Sequence, residues 1–79
     1  MPDMERKNIT GCRVARLRKE LQMTQTNLMG KLEKHGINIR RTDITKLEIG
    51  TRCVRDYEVV ALAKILKTTP QYLLTGRGK

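Results

Sequence analysis

The 79-residue chain predicts an all-α fold of five helices, on three observations. Apolar residues recur at three- and four-residue intervals in successive segments, which gives each segment one buried helical face. Capping residues, a proline and several glycines punctuate those segments where helices begin and end. The one extended-looking stretch, Ile37-Asn38-Ile39, is short and has no evident strand to pair with.

Residues 1–8 are polar and read as a flexible N-terminal arm ahead of one domain over 9–76, with a frayed tail over 77–79. The first helix is expected from Ile9 to Leu21. Ile9, Val14, Leu17 and Leu21 share its apolar stripe, and Arg13, Arg16, Lys19 and Glu20 lie elsewhere on the wheel. Thr24 opens the second helix as N-cap, with Leu28, Met29 and Leu32 on one side. Position N3 there is Asn27 rather than Glu or Gln, so the capping box is expected to be incomplete. Gly36 is the expected stop. The third helix, Arg41 to Glu48, carries a narrow stripe of Ile44 and Leu47 and ends at Gly50. Thr51 to Arg55 form a basic connection. Asp56 is the expected cap of the fourth helix, whose Val59, Leu62, Ala63 and Leu66 face inward. Thr69-Pro70 starts the last helix, since proline at N1 gives up only a donor that has no partner anyway. That helix holds Tyr72, Leu73 and Leu74 and stops at Gly76.

Composition narrows the function classes. Seventeen Lys and Arg against eight Asp and Glu leave a net charge of +9. The excess is spread along the chain and points to a polyanion, nucleic acid or an anionic membrane surface. Modules that grip single strands stack bases on aromatic platforms. Here Phe and Trp are absent and Tyr57 and Tyr72 are the only aromatics, so duplex is favoured. No apolar run approaches the roughly 18 residues of a membrane span, and the charged N-terminus has no apolar stretch behind it. A cytoplasmic protein is expected. Cys12 and Cys53 are then expected as free thiols. With His35 the only histidine, and no CxxC, neither a zinc site nor any other cofactor is expected. His35 lies just before Gly36, where a cation at a helix C-terminus is mildly favoured. No acid–base constellation or phosphate-cradling loop suggests an enzyme.

The second helix, a turn with Gly36 and a short third helix make a helix-turn-helix pattern. Such a unit needs a polar face on its third helix, which meets base edges while apolar residues anchor the back. Here Ile44 and Leu47 are the anchors and Arg41, Thr42, Thr45 and Lys46 point outward, with Arg40 just ahead. Arg and Lys can bond guanine, and Thr offers a hydroxyl and a methyl. Asp43 either accepts from cytosine or bonds the backbone of the first turn, the second being favoured.

Five fragments in order then carry a resemblance: Val14-Ala15-Arg16-Leu17-Arg18, Met23-Thr24-Gln25, Ile44 to Gly50, Leu62-Ala63-Lys64-Ile65-Leu66 and Leu73-Leu74-Thr75-Gly76. From about Ile9 to Gly76 the chain resembles the lambda repressor/Cro-like (XRE-type) helix-turn-helix regulators. The resemblance implies a five-helix DNA-binding domain. It implies that Gln25 contacts the DNA backbone, that Arg41, Thr42 and Lys46 read bases with Arg40 and Thr45 alongside, and that Thr51 and Arg52 form a backbone-contacting loop. It further implies that Arg18 and Glu48 pair to tie the first helix to the third. One departure stands out. Between Gln25 and Glu48 the chain is about five residues longer than compact members, so the second helix is longer, the turn looser, or both. The cap before the third helix is Arg40 or shifts to Asn38, which leaves Arg40 facing base, phosphate or solvent.

The function so implied is transcriptional regulation, most simply repression by a homodimer on a two-fold-symmetric operator, with the exposed apolar groups among Tyr72, Leu73 and Leu74 as the candidate dimer seam. Two alternatives use the same fold: an antitoxin-type regulator that binds a toxin as well as DNA, and a protein-binding adaptor. A toxin or an anti-repressor would be the protein partner. A membrane-surface peptide would explain the charge but not five capped helices.

Overall fold

The computed structural model describes residues 9–77. The expected arm over 1–8 and the last two residues of the expected tail lie outside that range. The described residues form five helices and no strand: α1 (Gly11–Glu20), α2 (Gln25–Lys34), α3 (Arg41–Ile49), α4 (Asp56–Ile65) and α5 (Pro70–Thr75). They pack into a body of about 33 × 26 × 23 Å. Helix α1 lies against α3, α2 against both α3 and α4, and α4 against α5. None of them is long and apolar enough to cross a membrane.

One apolar cluster holds the helices together. Val14 and Leu17 enter it from α1, Leu28 and Leu32 from α2, Ile44 and Leu47 from α3, Val59, Leu62, Ala63 and Leu66 from α4 and the turn after it, and Tyr72 and Leu73 from α5. Met29 is partly buried against it. Burying each large aliphatic side chain contributes roughly 1.5–3 kcal/mol, so the cluster is the main source of stability.

Helix α1 starts two residues later than the periodicity predicts. Its N-cap is Thr10, and Ile9 is 59 % exposed. Leu21, at the other end of the predicted stripe, is also on the surface. Thr24 caps α2 as expected, but the box is complete. Thr24 Oγ1 accepts from the Asn27 N–H at 3.0 Å and Asn27 Oδ1 accepts from the Thr24 N–H at 3.1 Å. Asn supplies the carbonyl oxygen that Glu or Gln would, on a stem short enough for N3.

Two helix ends depend on glycine. Gly36 sits at φ 80°, with its N–H on Glu33 O and the Ile37 N–H on Leu32 O at 3.0 Å. This is a Schellman end, and Ile37 buries beside Leu32 as that motif favours. Gly50, at φ 89°, ends α3 the same way, with the Thr51 N–H on Lys46 O. Helix α2 therefore runs ten residues, and residues 35–40 join it to α3 without forming a strand.

The cap of α4 is Arg55, not Asp56, because the carboxylate that turns back onto the chain is three residues on. Glu58 Oε1 accepts from the Arg55 N–H at 3.0 Å. Asp56 is the first helical residue and accepts from the Tyr57 N–H. Thr69 caps α5 through Tyr72 N, with Pro70 at its first position. Arg77, expected in the frayed tail, donates its N–H to Thr75 Oγ1 at 3.2 Å.

Candidate nucleic-acid interface

Arg18, on α1, is buried and aimed across the molecule at α3. Its Nε and Nη2 bond Glu48 Oε2 and Oε1 at 2.7 and 3.0 Å, and its Nη1 bonds Met23 O at 2.8 Å. One guanidinium thus joins α1, the turn before α2 and α3. The paired donors match the paired carboxylate oxygens, a fit that lysine lacks.

The network continues to the surface. Gln25, first residue of α2, donates Nε2 to Glu48 Oε1 at 3.1 Å. Its Oε1 accepts from Thr45 Oγ1 at 3.0 Å. The Thr45 hydroxyl also lies 3.2 Å from Arg41 O, one turn back. A chain of polar contacts thus runs from inside α1 through α2 to the exposed side of α3. It fixes the rotation and tilt of α3, whose back is already seated by Ile44 and Leu47.

The outer side of α3 is cationic. Arg40, Arg41, Thr42, Thr45 and Lys46 are all exposed. The side chains of Arg40, Arg41 and Lys46 form no ion pair among the described residues. Arg40 is the N-cap, so the cap does not shift to Asn38. Its side chain has no acceptor to offer the first turn. Asp43 supplies the bond instead, its Oδ2 accepting the Arg40 N–H at 3.3 Å. Two arginines at the positive end of a helix oppose its macrodipole by roughly 0.3–1 kcal/mol each.

The loop after α3 is less open than its sequence suggests. Thr51 is exposed, with its hydroxyl on Lys46 O at 3.3 Å. Arg52 turns inward, its Nη1 and Nη2 on Glu58 Oε1 and Oε2 at 3.0 and 2.9 Å. Burial pushes the Glu58 carboxyl up, but the Arg52 guanidinium and the Arg55 N–H outweigh it and hold the carboxyl below its ordinary value. The hydrogen bond to Glu58 in turn raises Arg52 above the usual arginine value, against the effect of burial. Glu58 escaped sequence reasoning, although a Glu three residues after a loop residue is a helix-start signal.

The candidate dimer seam narrows to one residue of α5. Tyr72 and Leu73 belong to the core, at 5 % and 0 % exposure, and of these three apolar residues Leu74 alone is exposed. Tyr72 also takes a hydrogen bond from Arg16 Nη2 on its hydroxyl. Packing of α5 against α4 takes Tyr72 and Leu73 into the core and leaves Leu74 on the surface. Cys12 and Cys53 are exposed free thiols. Comparison with protein-family models, with curated proteins and with solved structures yields no match.

Proposed function

We propose that the chain is a sequence-specific double-stranded-DNA-binding regulator of the lambda repressor/Cro-like (XRE-type) kind, with α3 as its recognition helix. The simplest activity of that kind is repression by a dimer on a two-fold-symmetric operator. One observation carries the proposal. A short helix seated by Ile44 and Leu47 and braced through Glu48 turns Arg41, Thr42, Thr45 and Lys46 to solvent, with Arg40 at its start.

That face suits a groove better than a protein surface. Its groups are bond donors and acceptors of the kinds that base edges and phosphates pair with. A protein-binding adaptor would be better served by apolar groups there. In this scheme Gln25 and Thr51 are the phosphate contacts: the Gln25 amide keeps a second proton beyond the one given to Glu48, and Thr51 offers its hydroxyl only by releasing Lys46 O. Arg52 joins them only by sharing its guanidinium with Glu58.

The test is selection of bound duplexes from a random pool. The expected outcome is a two-fold-symmetric consensus with half-sites about one helical turn, roughly 34 Å, apart. If no sequence is enriched even at low ionic strength, the proposal fails.

A further inference from the structure

We infer that Thr45 meets the groove as a hydrogen-bond acceptor only, and therefore selects a base-pair edge that presents an amino group, adenine N6 or cytosine N4. The inference rests on α3 being a DNA-reading helix, and it goes further by stating what one residue on that helix can read.

The reasoning starts at Arg18, which can only donate. Its two bonds go to Glu48, whose carboxylate can only accept when ionised. The Gln25 group 3.1 Å from Glu48 Oε1 must then be the donor, so the amide nitrogen faces Glu48. That fixes which end of the amide faces Thr45: the oxygen, at 3.0 Å. A flipped amide would set two oxygens of like polarity against each other at Glu48. The second neighbour of the hydroxyl, Arg41 O at 3.2 Å, is also an acceptor. A threonine hydroxyl has one proton. Whichever of the two oxygens receives it, the proton stays within the protein and only lone pairs are left for solvent.

In the major groove, adenine N6 and cytosine N4 are the donors, whereas guanine offers N7 and O6, and thymine O4, as acceptors. An acceptor-only hydroxyl therefore favours the first pair and is neutral or repelled at the second. Gln25 is the positioning residue that sets this preference, acting through Thr45.

The experiment takes the duplex enriched by the wild-type protein and measures binding of wild type, Thr45→Val and Thr45→Ser. The duplexes are the selected one and versions in which single adenines are replaced by purine, or single cytosines by 2-pyrimidinone, each lacking the amino group. The expected result is one position per half-site where removing the amino group weakens wild type and Thr45→Ser by about three- to tenfold, the worth of one hydrogen bond. Thr45→Val should be weaker on the selected duplex by a similar factor and indifferent to that replacement. Coupling of Thr45 to no amino group, or to a guanine or thymine oxygen instead, overturns the inference while leaving DNA reading intact. Failure of the wild-type protein to enrich any duplex overturns both. Without DNA, the polarity is checked by NMR at low temperature. The Thr45 hydroxyl proton should exchange with water more slowly than that of Thr42, and equal rates for the two overturn the inference.

Discussion

Glu48 and Glu58 are both buried carboxylates bound by a guanidinium fork, yet removing them should show in different measurements. The Arg18–Glu48 pair is nearly covered, with side-chain exposures of 10 % and 6 %. Truncating one member of such a pair leaves the other charge in a poor environment, at about 3–5 kcal/mol. Glu48→Ala is thus expected to lower Tm by more than about 10 °C in a domain of this size. An unchanged melting temperature would mean that the brace does not hold α3. Glu58 is better read through pH. Its carboxyl is held below its ordinary value of 4.5, so its contribution is complete above that value and fades as pH falls through the lower, folded one. The raised arginine contributes everywhere below its unfolded value and is lost only when pH rises through the folded one, beyond any working range. Urea midpoints of the wild type should fall more steeply below about pH 4.5 than those of Glu58→Gln. Parallel profiles would show that the Arg52–Glu58 pair contributes nothing. Because Arg52 belongs to this pair, Arg52→Ala is expected to weaken folding as well as any grip on phosphate.

At the scale of elements, what was legible followed the residues that leave a local mark. Thr24, Gly36, Gly50 and the Thr69-Pro70 start each belong to a capping chemistry that sequence displays, and the inward residues of α4 follow from their spacing. Two other helix ends left no such mark. The chain leaves α1 and α4 through Gln22 and Lys67, at φ 57° and 59°, in the left-handed region where a side chain is unwelcome. Both are Schellman ends, the Met23 N–H reaching Arg18 O and the Thr68 N–H reaching Ala63 O. Tertiary packing outweighs local preference there. Leu66 must enter the core and Met23 O must reach Arg18, so the turn forms without glycine. The strain is about 1–2 kcal/mol, and part of any relief is offset by the freer unfolded chain. Gln22→Gly and Lys67→Gly are each expected to stabilise by about 0.5–1 kcal/mol, read as a higher urea midpoint at constant slope. Destabilisation by both would mean that the side chains, not the backbone, shape these turns. The site was legible to the same degree. The outward cations of α3 follow from helix spacing, but the inward turn of Arg52 and the bridging of Gln25 depend on contacts between distant segments.

For the molecule as a whole, the charge of +9 is not one undivided resource. Arg18 is buried against Glu48, Arg52 is bound to Glu58, and Arg13 spans Ile9 O and Leu73 O, joining the start of α1 to α5. These cations hold the fold. Arg40, Arg41 and Lys46 are exposed together at one end and along one side of α3, and they remain available to a polyanion. Measured against salt, each phosphate neutralised in a duplex complex adds about 0.9 to the slope of log K on log salt, whereas a base contact adds discrimination without slope. Arg41→Ala is expected to weaken binding to the selected duplex by about 1–3 kcal/mol, leaving random duplex and the slope nearly unchanged. Arg40, as the N-cap, stands where the helix meets its preceding turn, and the same measurement assigns its role. A slope smaller by about 0.9, with equal losses on both duplexes, marks a phosphate contact. A loss confined to the selected duplex marks a base contact, and no loss on either marks an arginine left to water. If Arg41→Ala instead weakens both duplexes alike, the outer face of α3 grips the backbone rather than reading the groove. Selectivity would then have to come from the shape of the DNA, not from these side chains.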